Sequence, residues 1–224
     1  YISNGQIADF IIVVAKTDPK ERAKGISLML LETKGAEGFQ RGKKLDKVGL
    51  DAQDTSELFF DDVFVPAENV LGGEEGKGFY QLMGELPQER LIIAMGGMTV
   101  IERALEETVT FTKERKAFGQ TIWDFQNTQF VLADLKAKGT AAKIFVNDCI
   151  AKHLKGELDV PTACMAKYWV TELQGEVVDK CLQLHGGAGY INDYPIARMF
   201  RDSRISRIFG GSNEIMKMVI ARSM

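Results

Sequence analysis

Cysteine is scarce in this sequence, with three residues (Cys149, Cys164 and Cys181) among 224. They are widely spaced and all fall in helical patterns, which argues against a disulfide framework and against a zinc site. So sparse a set fits a reducing compartment. No apolar run approaches the roughly 18–20 residues that a membrane-spanning helix requires. Basic charge is not in excess either: 28 Lys and Arg stand against 31 Asp and Glu, for a net charge of −3. That balance gives no overall footprint for nucleic acid or for an anionic membrane. Internal repeats and low-complexity segments are missing, as is an opening basic region followed by an apolar stretch of the kind that directs secretion. The first residue is Tyr1, and Tyr1-Ile2-Ser3-Asn4-Gly5 reads as a strand running into a turn, so the expectation is a domain cut from something longer. What is present is ordinary globular composition, 45% hydrophobic and 26% charged, which excludes a disordered chain and suits one large domain or two small ones.

The apolar pattern changes period partway along. Residues 1–72 read as β: Phe10–Thr17 and Gly25–Lys34 are β-branched or aliphatic runs. Ser56–Pro66 is a third, with Asp61-Asp62 as a turn or bulge. Asp18-Pro19-Lys20 and Gly35-Ala36-Glu37-Gly38 carry turn chemistry. Residues 73–224 read as helical. Leu91, Ala94, Met98, Ile101, Leu105 and Val109 recur every three or four positions between Pro87 and Lys116, with Pro87 suited to the first turn and Gly119 to the stop. A second helix covers about Phe125–Leu154, with Leu132, Leu135, Phe145 and Cys149 on its apolar face. Gly156 and Pro161 separate it from a third, whose stripe is Ala166, Trp169, Leu173, Val177, Cys181 and Leu184. Pro195 begins a short fourth helix, and Ser212 is placed to cap a last one, Asn213–Arg222. The fold class is therefore α+β, mainly α: a partial antiparallel β domain over 1–72, then an up-down antiparallel helical bundle over 73–224.

Four places could carry chemistry. Gln183-Leu184-His185-Gly186-Gly187-Ala188-Gly189-Tyr190 has three glycines in four positions, which exposes backbone N–H groups and permits positive φ, as close approach to a phosphate or flat ring requires. The same residues also read as a glycine-rich helix C-cap with nothing bound, and His185 alone as a structural hydrogen-bonder. The loop follows a helix and not a strand, so it is no dinucleotide fingerprint. Phe209-Gly210-Gly211-Ser212-Asn213-Glu214 is a second glycine turn opening into a helix, suited to an anion or a carbonyl oxygen, or simply a turn with an N-cap. Arg115-Lys116-Ala117-Phe118-Gly119 puts cations at a helix end, where they are routine, though an arginine beside an exposed Phe could pair with a diphosphate and stack on a base. Glu85 and Glu89 lie four apart near a helix start. Carboxylates are favourable there in any case, and Glu89 becomes a usable base only if partly desolvated.

Taken together, Tyr-Ile-Ser-Asn-Gly, Arg-Lys-Ala-Phe-Gly-Gln, Gln-Leu-His-Gly-Gly-Ala-Gly-Tyr and Gly-Gly-Ser-Asn-Glu-Ile resemble the acyl-CoA dehydrogenase family, in its order and roughly its spacing. The resemblance covers the whole chain, as the second part of the family's middle β domain followed by its C-terminal bundle. It implies FAD as cofactor, shared across an interface in a homotetramer (a dimer of dimers). Tyr1, Ile2 and Ser3 would lie against the isoalloxazine, and Arg115, Ala117, Phe118 and Gln126 on the diphosphate and adenine side. Gln183, Leu184, His185, Gly186 and Gly187 would reach a neighbouring subunit's FAD, and Ser212, Asn213 and Glu214 would complete the cofactor contacts.

One departure carries the most information. Many members place the catalytic glutamate directly after the aromatic residue of the last turn, where this sequence has Gly210 after Phe209. A long-chain and isovaleryl-type subgroup carries its base on the first bundle helix, and Leu86-Pro87-Gln88-Glu89-Arg90 matches it, most closely the long-chain enzymes. The resemblance thus implies Glu89 as base, with Glu85 a weaker candidate and Glu214 a poor third. Leu86, Pro87, Gln88, Arg90, Phe209, Gly210 and Gly211 would surround the acyl-CoA, and Arg90 would orient the carboxylate or form a structural salt bridge. In the reaction so implied, Glu89 takes the α-proton of a fatty acyl thioester while the β-hydride passes to the flavin N5. The product is a trans-2-enoyl-CoA, and electrons pass on to an electron-transferring flavoprotein. Rival expectations are an acyl-CoA oxidase or flavin monooxygenase relative, and a flavin-free helical interaction module. Acyl chain length is not legible. Neither a metal, nor nucleic acid, nor a membrane is expected as a partner. The compartment would be cytoplasmic in a bacterium or the mitochondrial matrix in a eukaryote.

Overall fold

A computed structural model describes all 224 residues, and their contacts divide into two units, Tyr1–Glu85 and Leu86–Met224. The first holds five strands: β1 (Ile2–Ser3), β2 (Phe10–Lys16), β3 (Ile26–Glu32), β4 (Phe39–Lys44) and β5 (Thr55–Phe60). They form two antiparallel sheets, one ordered β1-β5-β4 and the other pairing β2 with β3, in register from Phe10↔Glu32 to Lys16↔Ile26. Leu28 and Leu31 of β3 are buried, whereas Phe10, Ile12 and Val14 point outward from β2. Arg41 ties the two sheets together through bonds to the carbonyls of Gly5 (3.0 Å) and Ala8 (2.7 Å) and to the Thr33 hydroxyl (3.0 Å).

Two expectations change here. The third run ends at Phe60, and Asp62 (φ 52°) makes the turn beyond it. Strand β4 went unread because Phe39-Gln40-Arg41-Gly42-Lys43-Lys44 lacks the alternation of a half-buried strand. It forms through pairing with β5, where Phe39 opposes Phe60 with ring centroids 5.3 Å apart.

The helices are α1 (Gly78–Glu114), α2 (Gln126–Leu154), α3 (Val160–His185), α4 (Pro195–Ser203) and α5 (Asn213–Ala221). At 37 residues α1 is about 55 Å long. It starts nine residues before Pro87 instead of at it; Pro87 lies inside the helix, where its missing N–H removes one bond from the ladder. Asp159 caps α3 by accepting the Thr162 N–H at 2.8 Å, with Pro161 in the first turn.

Within the helical unit, side-chain pairs fix the directions. Lys143 of α2 meets Glu102 of α1 at 2.5 Å, while Lys113 near the end of α1 lies over Trp123 just before α2, 4.9 Å from its ring centroid. Lys138 of α2 meets Glu176 of α3 at 2.8 Å, while Phe145 packs on Trp169. Each adjacent pair thus runs antiparallel, and α1 and α3 run the same way, crossing closely at Gly97 against Val170. The core between them is Leu91, Ala94, Met98 and Ile101 of α1, Leu132, Leu135, Val146 and Cys149 of α2, and Val170, Val177 and Cys181 of α3. Trp169, expected on the apolar stripe, is 40% exposed; Val170 takes the inward place. All three cysteines are buried and unpaired, and burial pushes the Cys181 thiol up to about 11. No helix is long and apolar enough to cross a membrane.

Gly119 does not stop a helix. α1 ends at Glu114, and Lys116–Ala117 pairs with Gln120–Thr121 as a small hairpin, β6 and β7. Phe118 (φ 53°) and Gly119 (φ 83°) are its two turn residues, and a two-residue hairpin of this kind needs positive φ at both.

Candidate active site

The turn before α5 is built from two consecutive residues in the left-handed region, Gly210 (φ 63°) and Gly211 (φ 90°). Both also lack room for a side chain. A Cβ on Gly210 would come within 2.4 Å of Ile93 Cδ1, and one on Gly211 within 2.8 Å of Met216 Cε. Beneath the turn lies a buried polar cluster rooted in α3. Lys167, with no solvent exposure, donates from Nζ to the Gly211 carbonyl at 2.8 Å and to Asn213 Oδ1 at 2.9 Å. Asn213, 1% exposed, donates in turn to the Thr171 hydroxyl at 3.0 Å and to Glu172 Oε1 at 2.7 Å. Arg207 pairs with Glu172 at 3.3 Å and lies over Gly175, where any Cβ would strike its guanidinium. Gln174 joins Ser203 (3.0 Å) and Ser206 (2.8 Å), fixing the approach to the turn. Burial pushes Lys167 down to about 8, with Arg90 acting in the same direction and Glu214 and Glu172 opposing it.

Ile93 also connects this turn to α1. Glu89 precedes it by one helical turn on the same face of α1, about 6 Å along the axis. Glu89 is exposed in this chain, as are Gln88 and Glu85, while Leu86 and Pro87 are partly covered. Arg90 points the other way. It is 6% exposed, donates to Cys164 Sγ at 3.3 Å, and its Nε has no partner. It forms no salt bridge in this chain, and its guanidinium faces α3. Phe209 is 42% exposed beside the turn.

Ser212 occupies the N-cap of α5, but its hydroxyl makes no capping bond. It bonds Glu214 instead, and the Glu214 backbone N–H together with that hydroxyl holds the Glu214 carboxyl below its ordinary range.

The other glycine loop is different in kind. His185 ends α3 buried, its Nδ1 2.8 Å from the Cys181 carbonyl and its ring stacked on Phe111 at 4.3 Å; burial lowers its pKa. The chain then makes a 3-10 turn, Gly186–Tyr190, with Gln183, Gly186 and Gly187 exposed and Leu184 partly covered. At the hairpin, Arg115 and Gln126 are exposed, Ala117 is half-buried, and Phe118 projects outward at 94% exposure. Tyr1, Ile2 and Ser3 belong to the strand unit, and Tyr1 is fully exposed.

Lys167 is the residue that sequence reasoning missed. Its type suggests solvent, but Cys164, Lys167, Thr171, Gln174 and Val178 share one helical stripe, whose middle residues Lys167, Thr171 and Gln174 bond α5 and α4.

An antiparallel strand unit followed by a bundle of three long and two short helices defines a class, the mainly α members of the α+β proteins. The chain belongs to the acyl-CoA dehydrogenase family. The family's middle domain matches residues 1–63 and its C-terminal domain residues 76–224. Mouse mitochondrial long-chain specific acyl-CoA dehydrogenase is 51% identical over 226 residues, covering all of this chain and 52% of that protein. A crystal structure of acyl-CoA dehydrogenase from Geobacillus kaustophilus is 47% identical with a TM-score of 0.95, over 99% of this chain and 58% of that one. An FAD complex of PigA is 29% identical with a TM-score of 0.92, over the whole of this chain and 58% of that one. The chain spans about half the length of the curated relatives it matches.

Proposed function

We propose that this chain is the strand-and-bundle part of an FAD-dependent acyl-CoA dehydrogenase that converts a fatty acyl thioester to its trans-2-enoyl-CoA, with Glu89 as the α-proton acceptor. The observation that carries the reading is the approach of Ile93, one helical turn after Glu89 on α1, to the Gly210 turn. A thioester carbonyl set against the N–H groups of that turn would have its developing enolate charge stabilised there, while the α-carbon faced α1. Gly210 carries no acid, so the proton must go to another residue. Glu214 is the poorer choice because hydrogen bonds already stabilise its anion. Glu85 lies one turn further from Ile93 than Glu89 does. Substrate entering beside Glu89 would supply the desolvation that its exposed carboxylate lacks in the chain by itself. Leu86, Pro87, Gln88, Phe209, Gly210 and Gly211 would line the acyl-CoA site, and Arg90 would act on it from within the bundle.

The donor set fits FAD. Arg115 is a free-standing guanidinium for a diphosphate, and Phe118, fixed outward by its hairpin, is a flat surface for a base. Gln126 and Gln183 supply amides, and open space at Gly186 and Gly187 lets a ligand approach their main chain. Tyr1, Ile2, Ser3, Leu184, His185, Ser212, Asn213 and Glu214 complete the cofactor set, the last three alongside the Lys167 cluster. When bound, FAD supplies the hydride acceptor; the chain supplies base, carbonyl donors and geometry. We extend the reading to an electron-transferring flavoprotein as redox partner and to a homotetramer. The compartment would be the mitochondrial matrix for a eukaryotic source and the cytoplasm for a bacterial one.

Anaerobic flavin bleaching by a series of saturated acyl-CoAs tests this on the full-length protein and its Glu89→Gln variant. Wild type is expected to bleach, and the variant to bind acyl-CoA but lose roughly 10²–10⁴-fold in bleaching rate. Equal bleaching would move the base elsewhere, with Glu85 next.

A further inference from the structure

We infer that Lys167 is a positioning residue: its ammonium, anchored in the middle of α3, sets the orientation of the Gly210–Gly211 turn by holding the Gly211 carbonyl and the Asn213 side chain at once. The catalytic consequence rests on the acyl-CoA reading above; the clamp itself does not.

Two consecutive glycines have no side chains with which to fix their own peptide planes, and glycine explores both signs of φ freely. Something outside the turn must select the observed pair, φ 63° and 90°. Ile93 and Met216 bound the turn sterically, but apolar walls limit where a peptide plane sits and not which way its carbonyl points. The Gly211 carbonyl is aimed by a bond of 2.8 Å from Lys167. The same Nζ reaches Asn213 Oδ1 at 2.9 Å, so both sides of Ser212 are tied to one atom. Thr171 and Glu172, one turn along α3, hold the other end of the Asn213 amide, so the turn is referenced to a helix that runs through the core.

The choice of lysine supports the assignment. A fully buried cation carries a desolvation penalty, and replacing such groups by well-packed apolar residues is often neutral or stabilising. A second cation, Arg90, stands nearby with its Nε unpartnered, which adds to that penalty. Stability alone would favour apolar residues in place of the whole network, not a buried ammonium with polar partners. A donor at this place serves to aim a carbonyl, and a displacement of about 1 Å in a group that positions substrate can lower a rate about 10²-fold.

The test compares the full-length wild type with Lys167→Met, which keeps the bulk of the side chain and removes the donors. Lys167→Gln is carried alongside in case the first variant fails to fold. Three quantities are read: the thermal midpoint, amide hydrogen exchange of the segment 208–214 by mass spectrometry, and the acyl-CoA bleaching rate with its concentration dependence. The expected result is a modestly lowered thermal midpoint, because the Gly211 carbonyl loses its donor, exchange in 208–214 faster by tenfold or more with the rest of the bundle unchanged, and bleaching slower by about 10²-fold at saturation, with half-saturation little moved. Unchanged exchange in 208–214 overturns the proposal, as does faster exchange spread over the whole bundle, which is the signature of plain structural support. A wild type that no acyl-CoA bleaches overturns the substrate reading instead, and the local exchange still decides the clamp.

Discussion

Gly186–Tyr190 and Phe209–Asn213 are both glycine-rich exits from helical segments, and they are held by opposite means. The first leans on a buried aromatic stack: His185 closes α3 against Phe111, and the glycines after it face open space, apart from Gly189, whose Cβ would lie 2.5 Å from the Leu182 carbonyl. The second is surrounded. Ile93 and Met216 occupy the places where side chains would go, and a buried cation, an amide and a carboxylate bind it from below. A loop of the first kind offers its main chain at Gly186 and Gly187 to whatever approaches and tolerates a side chain at Gly187. A loop of the second kind holds one geometry and does not, which is what a site for developing charge requires.

Four perturbations would break or sharpen that contrast. The largest effect is expected at Asn213→Ala, which strips partners from Lys167, Thr171 and Glu172 together and leaves a buried ammonium with one acceptor. Loss of about 3 kcal/mol, within the range for breaking a buried charged network, should appear as a shifted urea midpoint. Gly210→Ala comes next. Left-handed φ and a contact of 2.4 Å with Ile93 together predict a loss of about 1–3 kcal/mol and slower flavin bleaching.

The two turns should also separate on the pH axis. Burial lowers the His185 pKa from the ordinary 6.5, so the unfolded chain takes up the proton first as pH falls. Its contribution is present in full above about pH 6.5 and is lost below. Lys167 falls to about 8 from 10.5, so the native state sheds its proton first as pH rises, and stability grows between about pH 8 and 10.5. Urea unfolding of wild type minus Lys167→Met should therefore climb across that alkaline window at up to about 1 kcal/mol per pH unit, and a flat difference would contradict the burial. The smallest effect belongs to Gly187→Ala. Its φ is ordinary and its Cβ would touch nothing, so stability should stay within about 0.5 kcal/mol.

Local signals read well where the side chain and the backbone agree. The stripe Leu91 to Leu105 is buried as expected, Pro161 and Pro195 do open helices, and the cysteines lie in α2 and α3. The misses have physical causes. Pro87 looked like a helix start because a proline's missing N–H is harmless there, yet α1 runs through it and gives up one bond. Gly119 looked like a helix stop because a stop and a type I′ turn both ask for positive φ; only pairing across the hairpin tells them apart. β4 is a strand by virtue of its partner, not its own pattern. At the site, the glycine turns and Glu89 were legible as residue types, whereas Lys167 was hidden because burial of a lysine depends on acceptors 44 and 46 residues away.

The buried thiols give the protein a reporter of its own opening. The thiolate is the form that attacks an alkylating reagent, and with Cys149, Cys164 and Cys181 all enclosed, and burial raising all three pKa values, the folded chain offers almost none. Because Cys149 sits on α2 and the other two sit near opposite ends of α3, the order in which a maleimide pulse marks them would trace which end of the bundle loosens first, with no engineered label required.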